Sequence, residues 1–146
     1  MPSYQYLIAK RLPELSIGFE DLALKEEITT SPFKQGYKKD PQYYSYSYNA
    51  ADGVIARLKV EMKERAYSRY YINDYYIDQA TKDKDVEHYV AYYILPEKRL
   101  LLWNVSLCPK KKCSMREVFK NYKSFNDHDI YEVLPQDTSL DIELVI

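Results

Sequence analysis

The sequence predicts an α+β fold, a twisted antiparallel sheet of about five or six strands with one or two helices packed on one face, and three observations carry that prediction. Alternating apolar and polar residues recur in segments of strand length, two pairs of such segments flank turn residues, and one capping signature opens an apolar stripe at helical spacing. A chain of 146 residues lies within the usual range for one domain and buries roughly two-thirds of the surface its unfolded form exposes. Residues 1–146 are therefore expected to fold as a single domain, without metal or disulfide staples. With 46% hydrophobic and 29% charged residues, the composition is that of a globular protein rather than a disordered one.

Taken in order, residues 4–12 read as an opening strand that stops before Pro13, which has no backbone donor. Phe19 to Ile28 reads as a short helix, with Phe19, Leu22 and Ala23 on one face and Glu26 and Glu27 in solvent. Residues 29–42 combine Ser31-Pro32, Gly36 and Asp40-Pro41 with Lys34, Lys38 and Lys39, which predicts a mobile, positively charged loop. The clearest hairpin follows: Tyr43 to Tyr48 runs extended, Asn49 to Gly53 supplies turn residues, and Val54 to Glu64 returns in strict alternation. Val54, Ala56, Leu58, Val60 and Met62 point one way along it, and Arg57, Lys59, Glu61 and Lys63 the other.

Tyr67 to Ile77 has strand-forming residues interrupted by Asn73-Asp74, and predicts two short strands or a strand and a turn. Gln79 to Asp85 reads as a polar connection. Val86 to Leu95 and Leu100 to Leu107 flank Pro96 to Arg99 and are apolar on both faces, so they are the expected central strands. Ser114-Met115-Arg116-Glu117 is a capping box, and Met115, Val118, Phe119, Tyr122 and Phe125 form the stripe of the helix it opens. Ile130 to Leu134 and Leu140 to Ile146 read as closing strands.

The most informative compositional feature is the presence of 17 tyrosines, which exceed what an ordinary core requires. Tyrosine joins a large apolar ring to a polar tip and suits both half-buried strands and binding surfaces. Most are expected to be structural. The surplus predicts a binding surface of mixed charge on Tyr43, Tyr44, Tyr46, Tyr48, Arg57, Lys59, Lys63, Arg69, Tyr70 and Tyr71. A protein partner is the first expectation for that surface, through stiff aromatic anchors. The alternative is single-stranded nucleic acid stacked on a basic aromatic strand face, although Glu61 and Glu64 interrupt the charge. Self-association through strand edges is a further option.

A net charge of -1 removes the general electrostatic argument for nucleic-acid binding. No apolar run approaches the roughly 20 residues of a membrane span and the start lacks a secretory pattern, so the chain reads as cytoplasmic with no membrane partner. There is no phosphate-cradling glycine loop, nucleophile elbow or zincin motif, and the expectation is a non-enzymatic interaction protein of inhibitor, immunity or adaptor type, without cofactor or metal. A metal-dependent hydrolase or nuclease built on Asp127, His128 and Asp129 is the competing reading. Cys108 and Cys113 flank a lysine-rich turn and read as ordinary thiols.

Overall fold

The computed structural model describes residues 3–29, 44–118 and 129–146. Tyr4–Leu15 forms helix α1, where the sequence suggested a strand. The buried residues Gln5, Ile8, Ala9 and Leu12 recur at helical spacing, and the Ser3 hydroxyl accepts the Tyr6 amide at 3.1 Å as an N-cap. That stripe prevails over the strand propensity of the tyrosines. Pro13 sits inside the helix and has no N–H to give the Ala9 carbonyl four residues earlier. The Tyr48 hydroxyl, from the neighbouring sheet, donates to that carbonyl instead.

The helix ends in a turn in which the Phe19 amide donates to the Ser16 carbonyl at 3.1 Å, with Gly18 at φ +97°, a conformation that only glycine adopts freely. Phe19 and Leu22 enter the core, and Ala23–Thr29 forms strand β1 rather than the expected helix. Pairing with β2, Tyr44–Asn49, outweighs its weak helical pattern. The β2 hairpin with β3, Ile55–Lys63, forms as the sequence indicated. Of the expected loop 29–42, only Thr29 falls within the described residues, as the end of β1.

After β3 the chain forms β4 (Tyr70–Asn73) and helix α2 (Asp74–Lys82), then β5 (Val86–Ile94), which lies parallel to β3. Asn73-Asp74 is thus a helix start: Asn73 is extended at the N-cap and Asp74 places an acid in the first turn, where it complements the helix dipole. The expected connection at Gln79 begins as the last turn of α2. β6 (Arg99–Asn104) completes the central hairpin. Lys111–Ser114, read as part of a turn region, is a short strand β7 that buries Cys113 and exposes Lys111 and Lys112. Helix α3 spans Met115–Val118, and the Glu117 amide donates to the Ser114 hydroxyl at 3.3 Å, half of the expected capping box. The rest of that predicted stripe, from Phe119, lies outside the described residues. β8 (Asp129–Val133), a 3-10 turn at Pro135–Asp137 and β9 (Leu140–Glu143) follow.

The main sheet has the order β1-β2-β3-β5-β6-β9, and a second runs β4-β8-β7. The fold is α+β, with a six-stranded sheet that is mixed because of the β3–β5 pairing. Both faces are covered. On one, α1 packs through Ile8, Ala9 and Leu12 onto Tyr46, Leu58, Ala91 and Leu102. On the other, β4 and α2 pack through Tyr70, Ile72 and Tyr76 against Val90, Tyr92, Leu101 and Trp103. Helices on opposite faces, rather than one, follow from the central strands being apolar on both sides.

The tyrosine content has a physical account in this layering. Tyr48, Tyr92 and Tyr93 have their rings in the main sheet's two cores, and their hydroxyls donate to the carbonyls of Ala9, Tyr71 and Leu144. Trp103 likewise donates its indole N–H to Leu134 at 2.9 Å. Each ring supplies apolar area, and each tip satisfies a backbone carbonyl.

Candidate functional site

Strand β3 alternates as the sequence indicated, but the side carrying its charges faces inward for most of its length. Lys59 is only 3% exposed. Its ammonium lies 3.0 Å from one oxygen of Glu61, and Lys63 lies 3.2 Å from the other. Lys59 also sits 4.7 Å from the centroid of the Tyr76 ring, and Lys63 sits 4.9 Å from that of Tyr92 and 5.3 Å from that of Tyr67. Burial would push the Glu61 carboxyl pKa up, but the flanking Lys59 and Lys63 prevail and hold it below its usual value. Lys59 and Lys63 are thus part of an internal charge cluster.

The other candidate residues divide similarly. Tyr46 and Tyr48 are fully buried against α1, and Tyr70, on β4, is buried between the two sheets. These three present no surface to a partner, which corrects the expectation of an exposed tyrosine face. Arg69 forks onto Glu132, with the second bond at 2.8 Å, and donates to the Glu117 carbonyl at 3.2 Å. Tyr71 is half-buried opposite Glu132. Tyr44 pairs with Val60, whereas Tyr43 lies outside the described residues. Arg57 alone among the β3 cations is well exposed. Of the acid-histidine cluster only Asp129 is described, in an exposed ion pair with Lys112 at 3.5 Å. Cys108 and Cys113 are free, buried thiols, and burial raises the pKa of each.

A different surface has the geometry of a site. One end of the main sheet opens into a cleft of about 520 Å³, bounded by the end of α1, the segment after β6 and the start of β9. Two of its lining residues are aliphatic and almost wholly in solvent: Ile17, 97% exposed, and Leu107, 80% exposed. Both are held outward by hydrogen-bonded turns. Ile17 sits inside the Ser16–Phe19 turn with Gly18. Leu107 is set by the Asn104 side-chain oxygen, which accepts the amides of Ser106 at 3.0 Å and Leu107 at 3.3 Å.

The loop beyond is fixed by Lys110, whose ammonium donates to the carbonyls of Val105 at 2.7 Å and Cys108 at 3.1 Å. Between the two tips lie Tyr89, Asn104 and Ser139, and Asp137 is the one charged side chain among the described lining residues. The Tyr89 hydroxyl donates to Glu87 at 2.7 Å, and burial, followed by that carboxylate, raises its pKa. The cleft is apolar at its edges, neutral and polar on its floor, and weakly negative.

The sequence placed Leu107 at the end of an expected central strand and gave Ile17 no role. Their signal was local. Ser16-Ile17-Gly18 and Asn104-Val105-Ser106-Leu107 each put an aliphatic residue, Ile17 and Leu107, inside turn chemistry. No helix among the described residues is long and apolar enough to cross a membrane. Neither a family model, nor a curated protein, nor a solved structure matches this chain.

Proposed function

We propose that this is a non-enzymatic interaction protein that binds a partner protein by taking an apolar segment of it into the cleft between Ile17 and Leu107. The observation that carries this reading is the pair of outward-held aliphatic side chains on one concave surface. Single exposed apolar residues are ordinary, but two fixed by turns beside one cleft form a preorganised contact that needs little further ordering on binding. Full burial of each side chain contributes roughly 1.5–3 kcal/mol. With Asp137 as the charged residue of the described lining, the complementary segment is apolar and carries lysine or arginine rather than an acid. Binding of this kind works by masking the partner's surface, as an inhibitor, immunity protein or adaptor does.

The test is photo-crosslinking in the native cell from a reactive residue at position 107, with position 97 on the opposite turn as control, and each sample split into nuclease-treated and untreated halves. The expected result is one protein captured from position 107 in both halves, absent from position 97 and lost when Ile17→Ser is added. Equal capture from both positions, or capture abolished by nuclease, overturns the reading. A second copy of this chain as the captured species reassigns the cleft to self-association.

A further inference from the structure

Tyr89 also lines a smaller, partly open cavity of about 50 Å³ between β3, the start of β5 and helix α2. That is room for roughly three to five water-sized groups. Its lining brings together Arg57, Lys59 and His88 with the polar side chains of Ser45, Tyr76 and Gln79, and includes no carboxylate among the described residues. Strand pairing fixes the arrangement: Arg57 is in register with His88 across the parallel pair, and Ser45 with Lys59 across the hairpin.

His88 is 6% exposed, and its Nε2 is buried with no hydrogen-bond partner among the described residues. A buried polar atom left unpaired forfeits its hydration without compensation, so its position beside this cavity needs a reason. Arg57 is exposed and makes no ion pair with the described residues, leaving its guanidinium free to fold over the opening. Lys59 is already shared with Glu61, which anchors its ammonium at one wall.

We infer that this cavity binds a small phosphate-type oxyanion, with Arg57 and Lys59 supplying charge and the His88 ring donating from Nε2. The ring needs no positive charge to act: a neutral imidazole protonated on Nε2 donates one hydrogen bond. Arg57 provides the planar fork suited to a phosphate edge, and the Gln79 amide is a further polar group of the lining. A carboxylate shares the charge but has only two oxygens for these donors. The assignment is independent of the cleft and of its partner.

The experiment titrates the whole protein with inorganic phosphate at constant ionic strength, following the His88 ring resonances by NMR and the melting temperature, with sodium acetate and sodium chloride as parallel arms. Saturable shifts of the His88 Nε2 resonance and a rise in melting temperature with phosphate are expected. Arg57→Gln, whose side chain is exposed, is expected to melt unchanged without phosphate and to bind it at least tenfold more weakly; His88→Gln, which keeps a donor of similar reach, retains part of the affinity. Phosphate acting no more strongly than chloride overturns the site, as does Arg57→Gln binding with unchanged affinity. Acetate binding as tightly as phosphate overturns the tetrahedral ligand in favour of a carboxylate.

Discussion

Replacing Tyr48 with phenylalanine isolates the device that lets α1 run through a proline. Pro13 lacks the donor for the Ala9 carbonyl, and the Tyr48 hydroxyl is the group that reaches it. Ala9 and Tyr48 are both 0% exposed, so water does not replace the lost hydroxyl. Orphaning a buried carbonyl costs about 1–3 kcal/mol, a fall of roughly 2–12 °C in melting temperature for a domain of this size. In a Pro13→Ala background the new amide donates to Ala9 in the ordinary helical way, and Tyr48→Phe then costs little. Urea unfolding of the wild type, both single variants and the double variant gives the coupling directly, and the expected value is about 1–2 kcal/mol. Pro13→Ala alone is a poor test, because relief of the helix clash is offset by the greater freedom of the unfolded chain. A coupling below about 0.5 kcal/mol, the usual error of additivity, refutes the substitution of a side-chain donor for the missing backbone one.

Two further predictions concern the interior. Glu61→Gln leaves Lys59 buried beside Lys63 without their shared anion; breaking a buried pair costs about 3–5 kcal/mol, reduced here to about 2–4 because Glu61 and Lys63 each retain 18% exposure. The Glu61 pKa is lowered on folding from its ordinary 4.5, so its contribution is complete above that value and is lost as pH falls through the folded pKa. Urea midpoints from pH 7 to pH 3 should fall more steeply in the wild type than in Glu61→Gln, the loss common to both coming from Glu132 and Asp141, whose pKa values are lowered by Arg69 and Arg99, while a variant within about 0.5 kcal/mol of the wild type at pH 7 would contradict the cluster. Cys108 and Cys113, buried with raised pKa values, should react with a thiol reagent at neutral pH only at the rate of unfolding, since the thiolate is the reactive form. Either thiol reacting in the folded protein at the rate of free cysteine would show that it is not sequestered.

The strands legible in the sequence were those whose pattern depended on their own neighbours in the chain. The β2–β3 hairpin announced itself through Asn49 to Gly53, and the β5–β6 hairpin through two segments apolar on both faces. α1 and β1 were exchanged, because a strip rich in Tyr4, Tyr6, Leu7 and Ile8 satisfies both periodicities and its partner, the inner face of β2 and β3, lies some 40 residues away. The charged side of β3 illustrates the same limit. Alternation identified which residues share a face, but that Lys59 is covered depends on α2 crossing over it between two parallel strands, which short-range pattern does not contain. The cleft depends on three chain segments meeting at one sheet end, and only its turn-borne tips left a local mark.

The most direct measurement of the proposed function is the affinity of the crosslinked partner for the wild type and for Ile17→Ser/Leu107→Ser, with both proteins first shown to melt at the same temperature. Loss of two nearly complete aliphatic burials amounts to at least about 3 kcal/mol, and the account therefore predicts binding weakened by about a hundredfold or more. Affinity unchanged within threefold would contradict the assignment of the cleft as the binding surface.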